Sequence, residues 1–131
     1  AMYEMKPEYY TGIIFIDEEH KKLFAIANTA YELLMNEFIP DKYDYIMEVI
    51  EELRSYTRYH FEHEETYMNS IKYKRLLSQK VAHDDFIEKI NSYDDEIVDE
   101  KQRESLFELL DFLTNWLIEH IYKQDKLIAE Q

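Results

Sequence analysis

The chain has 131 residues, a formal net charge of −14, one glycine, two prolines and no cysteine. This length predicts a single domain over residues 1–131. The negative charge argues against a nucleic-acid or anionic-membrane partner, because such binders need a basic face that displaces counterions. We expect a cytoplasmic protein, since no apolar run approaches the ~20 residues of a bilayer span and no secretory signal is visible.

The scarcity of glycine and proline, together with abundant helix-forming residues, predicts an all-α fold. Apolar residues recur at helical spacing in four segments separated by short links. We therefore predict an antiparallel up-and-down four-helix bundle. Its helices are predicted at about 17–38, 41–69, 73–93 and 101–129, after an N-terminal arm at about 1–16.

Three features mark the predicted helix boundaries. Asp17 precedes the first apolar stripe and is a plausible N-cap. Pro40 separates the first helix from the second. The acidic link SYDDEIVDEK, residues 92–101, is predicted to be a solvated loop.

Polar side chains that can bind a metal continue the apolar stripe of every predicted helix. A lone histidine on such a stripe is usually a hydrogen-bonded core residue. Several imidazoles and carboxylates in one small core are different, because each unsatisfied group costs about 1–3 kcal/mol. Without cysteine, nitrogen and oxygen donors would hold the metal, which suits iron or manganese. The candidate ligands are His20, His60, Glu64, His83, His120 and Asp125.

The spacing of these residues suits a centre of two metal ions. His60 and Glu64 are four residues apart, about 40° around a helix, and can reach one cluster. His120 and Asp125 are five apart, so either they flank the cluster from two sides or the helix contains a π-bulge. Two carboxylates can bridge two ions, whereas a single ion would usually take two histidines and one carboxylate. A ferritin-like site would need Glu-x-x-His pairs, which these positions lack.

Four segments in order resemble the single-domain bacterial hemerythrins over nearly the whole chain. They are GIIFIDEEH ending at His20, YHFEHEETYM with His60 and Glu64, KVAHDDF with His83, and WLIEHIYKQD with His120 and Asp125. The resemblance implies a non-haem di-iron centre that binds dioxygen reversibly. It further implies that His20 and His60 hold one iron, which keeps an open position, and that His83 and His120 hold the other. Glu64 and Asp125 would bridge the two irons.

The chain departs from the family pattern at Gln79, where the third helix of the family carries another histidine. Three interpretations are open: Gln79 binds iron weakly through its amide oxygen, it leaves an open or water-filled position, or it was introduced by engineering. His63 is a conceivable substitute but is better explained as a solvated side chain. Tyrosines near the predicted ligands are candidates for a radical or a hydrogen bond, although packing explains most of them: Tyr56, Tyr59, Tyr67 and Tyr122.

Two functions remain as hypotheses. The first is an oxygen carrier, store or sensor, which is not an enzyme. The second is a di-iron redox enzyme acting on dioxygen or peroxide, favoured by the change at Gln79 because an open coordination position permits side chemistry. Either function is compatible with an electron donor as partner and with a monomer or weak oligomer.

Overall fold

The computed structural model describes residues 2–130, and it confirms the predicted all-α four-helix bundle. Three long helices lead into a fourth, irregular one. Neighbours in the chain pack against each other, and the fourth helix returns to pack against the first. The α-helices are α1 (Ile14–Met35), α2 (Tyr43–Ser70), α3 (Leu76–Asn91), α4 (Asp95–Glu100) and α5 (Gln102–Trp116).

Helix α1 begins at Ile14, three residues earlier than predicted, so Asp17 lies in its first turn and is not its N-cap. The Asp17 carboxylate is buried and faces backwards along the chain. It accepts hydrogen bonds from the Thr11 amide, the Thr11 hydroxyl and the Gly12 amide at 2.8, 2.8 and 3.0 Å. Gly12 has a φ of 85°, which a residue without a Cβ adopts at little cost. Asp17 therefore stabilises the turn that precedes the helix.

Two apolar clusters stabilise the bundle. The larger one runs through its middle and contains Leu53, Leu109 and Leu113, none of which is exposed. The smaller one consists of Ile16, Met68, Tyr73 and Ile128, near one end of the bundle. Burying a leucine side chain contributes about 1.5–3 kcal/mol, so these clusters supply most of the drive for folding.

The acidic link was predicted as a loop, and that prediction is wrong for its central part. Asp95–Glu100 form the short helix α4. The Asp94 side chain caps it by accepting hydrogen bonds from the amides of Glu96 and Ile97. Val98 is buried against the main core, which anchors the helix. The Asp94 cap and the buried side chain of Val98 together order this segment.

The fourth helix does not stay α-helical to its end. After α5 the chain forms a π-helical segment at Leu117–Gln124 and a 3-10 segment at Asp125–Glu130. Of the two arrangements left open by the sequence for His120 and Asp125, the structure has the π-helical one. A further 3-10 turn, Pro7–Tyr9, lies in the N-terminal arm, which packs onto the bundle through the buried side chain of Tyr9.

Candidate metal centre

The bundle brings the six predicted ligands together in its interior. Helix α1 supplies one histidine, α2 a histidine and a glutamate, α3 a histidine, and the irregular fourth helix a histidine and an aspartate. Each of the six side chains is buried, with at most 4% of its surface exposed: His20, His60, Glu64, His83, His120 and Asp125. They form two groups, and within each group one ligand atom per residue lies within 4.8 Å of the others.

The two carboxylates divide their oxygens between two pairs of histidines. Glu64 directs Oε2 at His60 Nε2, 3.4 Å away, and Oε1 at His83 Nε2, 3.2 Å away. Asp125 directs Oδ2 at His20 Nε2 and Oδ1 at His120 Nε2, both 3.0 Å away. Glu64 Oε2 also lies 3.6 Å from His20 Nε2. Each carboxylate therefore faces both pairs of histidines, as a ligand that bridged two ions would.

Several atoms of this cluster are buried and make no hydrogen bond within residues 2–130. They include both oxygens of Glu64, Oδ2 of Asp125 and both ring nitrogens of His20. All of them except His20 Nδ1 lie 3.0–3.6 Å from an imidazole nitrogen or carboxylate oxygen of the cluster, without the geometry of a hydrogen bond. A buried polar group without a partner costs about 1–3 kcal/mol, and a charged one costs more. Carboxylate oxygens and imidazole nitrogens are suitable donors for iron. The residues present thus fit a pair of metal ions, which would satisfy these atoms together.

The protonation of the cluster reflects opposing charges held close together. Burial by itself would lower the pKa of His20, but the facing carboxylates of Asp125 and Glu64 raise it to about 9. His83 behaves in the same way, because Glu64 outweighs burial and raises its pKa. Burial would raise the pKa of Asp125, yet His120 and His20 hold it well below its usual value. Without a metal the site is a set of ion pairs between imidazoles and carboxylates.

The π-helical segment explains how Asp125 reaches the cluster. The backbone amide of Asp125 donates to the carbonyl of His120, five residues earlier. This widened turn lets residues five apart face the same side of the helix, which an α-helix does not allow. Both side chains point into the bundle as a result.

The side chain of Gln79 lies beside this group and is oriented by one hydrogen bond. Its Nε2 donates to Asp125 Oδ1 at 3.1 Å. Its Oε1 is buried and makes no hydrogen bond within the described residues. The amide is thus oriented by its nitrogen, and a neutral oxygen donor remains without a partner.

Two further carboxylates, which no sequence pattern predicted, contact the outer nitrogens of two of the histidines. Glu19 Oε1 lies 2.7 Å from His60 Nδ1, and Glu65 Oε2 lies 2.7 Å from His83 Nδ1. Such contacts orient a metal-binding imidazole and leave its Nε2 lone pair for the metal. Glu65 directly follows Glu64 and Glu19 directly precedes His20, but adjacency alone did not distinguish them from solvated glutamates.

The expectation that His63 is simply solvated is wrong in one respect. Its side chain is 41% exposed, but its Nδ1 lies 2.7 Å from Glu19 Oε2. The Phe15 ring packs against it with a centroid distance of 4.1 Å. His63 is therefore held in place beside the cluster, although it is not one of the residues grouped around the potential metal positions.

Aromatic rings stack on the histidines of one pair. The Phe61 ring is parallel to His83 at 4.0 Å, and the Trp116 ring lies 4.3 Å from His120 at an angle of 15°. Phe61 is buried, whereas Trp116 is partly exposed. None of the four tyrosines singled out from the sequence has a ring contact with a predicted ligand in residues 2–130. Their contacts are with other tyrosines, Phe15 and His63.

Comparison with known proteins identifies the family to which this site belongs. Residues 11–131 match the hemerythrin HHE cation binding domain. The chain belongs to the hemerythrin family. A bacteriohemerythrin of Clostridium acetobutylicum is 48% identical over 95% of this chain and 97% of its own length. A bacteriohemerythrin of Pseudomonas paraeruginosa is 32% identical over 88% of this chain and 71% of its own length. A hemerythrin of Themiste dyscrita is 32% identical, covering 86% and 79% of the two chains.

Membership of the hemerythrin family confirms the expected class of cofactor and ligand. The protein is a non-haem di-iron protein that binds dioxygen. The two groups of buried ligand atoms are consistent with a cofactor of two ions. None of the helices within residues 2–130 is both long and apolar enough to cross a membrane.

Proposed function

We propose that the two irons are held by separate pairs of histidines, and that the protein binds dioxygen reversibly as a carrier, store or sensor. His20 and His60 hold one iron, and His83 and His120 hold the other. The observation that supports this assignment is the division of the Glu64 and Asp125 oxygens between the two pairs. When bound, the irons supply the electrons and the open coordination position used to bind dioxygen.

The protein's own contribution is a fixed, buried set of donors. The packed core surrounding the ligands restricts the access of water, and electrostatic interactions are stronger in such an interior than at the surface. Glu19 and Glu65 hold the outer nitrogens of His60 and His83, so these two imidazoles present Nε2 inward. The protein therefore orients its ligands before the metal arrives, which lowers the entropic cost of binding.

We propose that Gln79 binds the second iron through its amide oxygen. The hydrogen bond from Nε2 to Asp125 fixes which end of the amide is free, and that end is a buried oxygen without a partner. An amide oxygen is a neutral and weaker donor than an imidazole nitrogen. The second iron would then have the usual number of protein ligands, but one of them would dissociate more readily.

A second candidate function follows from this weaker ligand. If Gln79 dissociates, the second iron exposes a position to dioxygen or peroxide, and the centre becomes a redox enzyme of the oxidase or peroxidase type. The buried, otherwise unsatisfied amide oxygen favours coordination and therefore the reversible binder. An electron donor would serve either function by returning to the ferrous state any iron that is left oxidised.

Iron content and the absorption spectrum test both candidates. The protein is loaded with ferrous iron under anaerobic conditions, the iron per chain is counted, and spectra are recorded through cycles of air and argon. About two irons per chain and a band that appears and disappears with oxygen would support the reversible binder. Irreversible oxidation with turnover of added peroxide would support the enzyme. Less than one iron per chain would contradict both.

We further propose that the protein acts in the cytoplasm as a monomer or weak oligomer and delivers, stores or senses oxygen there. The negative net charge and the lack of cysteine support this setting, since no structural disulfide requires an oxidising compartment. Cell fractionation with an antibody to the protein tests the location, and sedimentation tests the oligomeric state. Recovery in a membrane or extracellular fraction would contradict the first part.

A further inference from the structure

We propose that Glu19 is a positioning residue for the metal ligand His60, and that the half-exposed His63 keeps Glu19 in its working orientation. The proposal rests on the proposed function, in which His60 binds iron. His63, a half-exposed histidine of α2, would thus influence the buried centre through the Glu19 carboxylate.

The Glu19 carboxylate is held at both ends. Its Oε1 lies 2.7 Å from His60 Nδ1 and its Oε2 lies 2.7 Å from His63 Nδ1. The side chain is almost entirely buried, so water cannot readily replace either contact. With both oxygens engaged, rotation of the carboxylate would break two short hydrogen bonds in a poorly solvated place. The position of Glu19 is thus determined jointly by both histidines.

His63 is itself immobilised, which it must be to hold Glu19. The Phe15 ring lies against it at 4.1 Å, and the Tyr67 ring meets Phe15 edge-on at 5.5 Å. Phe15 and Glu19 are four residues apart on α1, so they face the same strip of α2. A solvated histidine would have no such support from a neighbouring helix.

The consequence for His60 is a defined choice of ring nitrogen. Because the Nδ1–H of His60 donates to Glu19, the neutral ring of His60 carries its lone pair on Nε2. That Nε2 faces Glu64 Oε2 at 3.4 Å, at the proposed metal position. Loss of Glu19 would allow the ring to rotate or to change tautomer, and fewer molecules would be ready to bind the metal.

The matching contact on α3 lacks the second support. Glu65 holds His83 Nδ1, but its side chain is 24% exposed. Its other oxygen makes no hydrogen bond to the described residues, whereas both oxygens of Glu19 do. A contact that only joined α1 to α2 could be made by one histidine. Here His60, which is a proposed metal ligand, and His63 both contact the Glu19 carboxylate.

Hydrogen bonding at His60 can be measured without iron. In the metal-free protein, proton–nitrogen NMR should show a hydrogen-bonded Nδ1–H on His60. We expect this resonance to weaken in His63→Ala, to disappear in Glu19→Ala, and to persist in Glu19→Gln, whose amide oxygen can still accept the bond. An unchanged resonance in both alanine variants would overturn the proposal, whatever the iron chemistry proves to be.

Ferrous-iron affinity and reduction potential provide the second readout. We expect Glu19→Ala to weaken ferrous binding by about 10–100-fold, and His63→Ala to weaken it by only a few-fold. The His63→Ala effect should vanish when Glu19 is already alanine, because the histidine acts only through the carboxylate. Glu19→Gln should recover most of the affinity but raise the reduction potential, since it removes a negative charge near the iron. The shift in potential reports the lost charge, whereas the Nδ1–H resonance of His60 reports the positioning.

Three controls separate the possible outcomes. Glu18→Ala changes the neighbouring exposed carboxylate, which pairs with Lys21, and should leave affinity and potential unchanged. His60→Ala tests the proposed function itself: full iron binding in that variant would contradict the ligand assignment and not the hydrogen bonding. Additive effects of His63→Ala and Glu19→Ala on iron affinity would contradict the proposed dependence of His63 on Glu19. Thermal unfolding checks that every variant is folded.

Discussion

The two halves of the metal centre differ in the way their histidines are supported. On the side of His20 and His60, the almost entirely buried carboxylate of Glu19 contacts the outer nitrogen of His60. On the side of His83 and His120, the partly exposed Glu65 contacts His83, aromatic rings stack on both imidazoles, and Gln79 donates a hydrogen bond to Asp125. The first half is therefore restrained by a buried carboxylate, whereas the second combines a more exposed carboxylate with aromatic packing and with the ligand proposed at Gln79. We therefore expect the reactivity of the bound iron to depend more on the residues of the second half than on those of the first.

The largest expected effect comes from a residue that belongs to both halves. Glu64 faces His60 through one oxygen and His83 through the other, so Glu64→Ala should remove a ligand from both irons. Iron content should fall from about two per chain to less than one, because both positions lose a charged donor. Elemental analysis of anaerobically loaded protein measures this. Glu62→Ala, an exposed carboxylate on the same helix, is the matched control and should retain full loading. Full loading of Glu64→Ala would mean that the halves do not share a bridge.

Removing the metal should lower the Tm of the whole domain, because the metal contacts both halves of the centre. The metal-free protein keeps buried carboxylates and imidazoles with unsatisfied atoms. Metal in about 100-fold excess over its dissociation constant stabilises the fold by about 2.7 kcal/mol, or about 10 °C in Tm for a chain of this size. Calorimetry with and without iron measures the shift. An equal Tm in the two forms would show that the metal-free cluster already satisfies its own charges.

The ligand proposed at Gln79 can be changed directly. If Gln79 binds the second iron through its amide oxygen, Gln79→His should replace that oxygen with an imidazole nitrogen and slow oxidation of the ferrous protein in air on the order of tenfold. Gln79→Leu, which removes both the amide oxygen and the hydrogen bond to Asp125, should speed that oxidation. Absorption spectra recorded in air over time measure both rates. If both variants oxidise at the parent rate, position 79 contributes no ligand and the two halves are equivalent there.

The smallest expected effect is optical and reports on one half alone. Trp116 is the only tryptophan in the chain and it stacks on His120. Iron bound at His120 should quench its fluorescence, because the indole stacks on the imidazole that would hold the metal. Titration of the metal-free protein with ferrous iron measures this. The quenching should persist in His60→Ala, which affects the other half, and should be reduced in His83→Ala. Equal quenching in the two variants would contradict the assignment of histidines to pairs.

The bundle and the meeting of the six side chains were predictable because they depend on local periodicity. His60 and Glu64 share a helical face at four-residue spacing, and that face is known once the apolar stripe is known. Membership of the hemerythrin family was predictable from the order of four short segments, and the match over residues 11–131 confirms it. These predictions needed no knowledge of how the helices pack in detail.

The remaining features depend on contacts that the spacing along the chain does not encode. The two Glu19 contacts join residues 41 and 44 positions apart, and no local pattern distinguishes Glu19 from its exposed neighbour Glu18. Asp17 looked like a helix cap because caps and turn-stabilising carboxylates have the same residue types. The acidic link became α4 because its buried residue Val98 docks on the core. Tertiary packing decided each of these cases.

The π-helical segment at Leu117–Gln124 makes the centre depend on the number of residues as well as on their identity. Lys123 is exposed within it and contacts Glu119, so many replacements at this position should be harmless. Deleting Lys123 is a different kind of change. It would shorten the interval between His120 and Asp125 from five residues to four, and the segment would become an ordinary α-helix. Asp125 would then approach the irons at a different height and angle. In this segment, deletion of a residue should therefore be more damaging than its substitution.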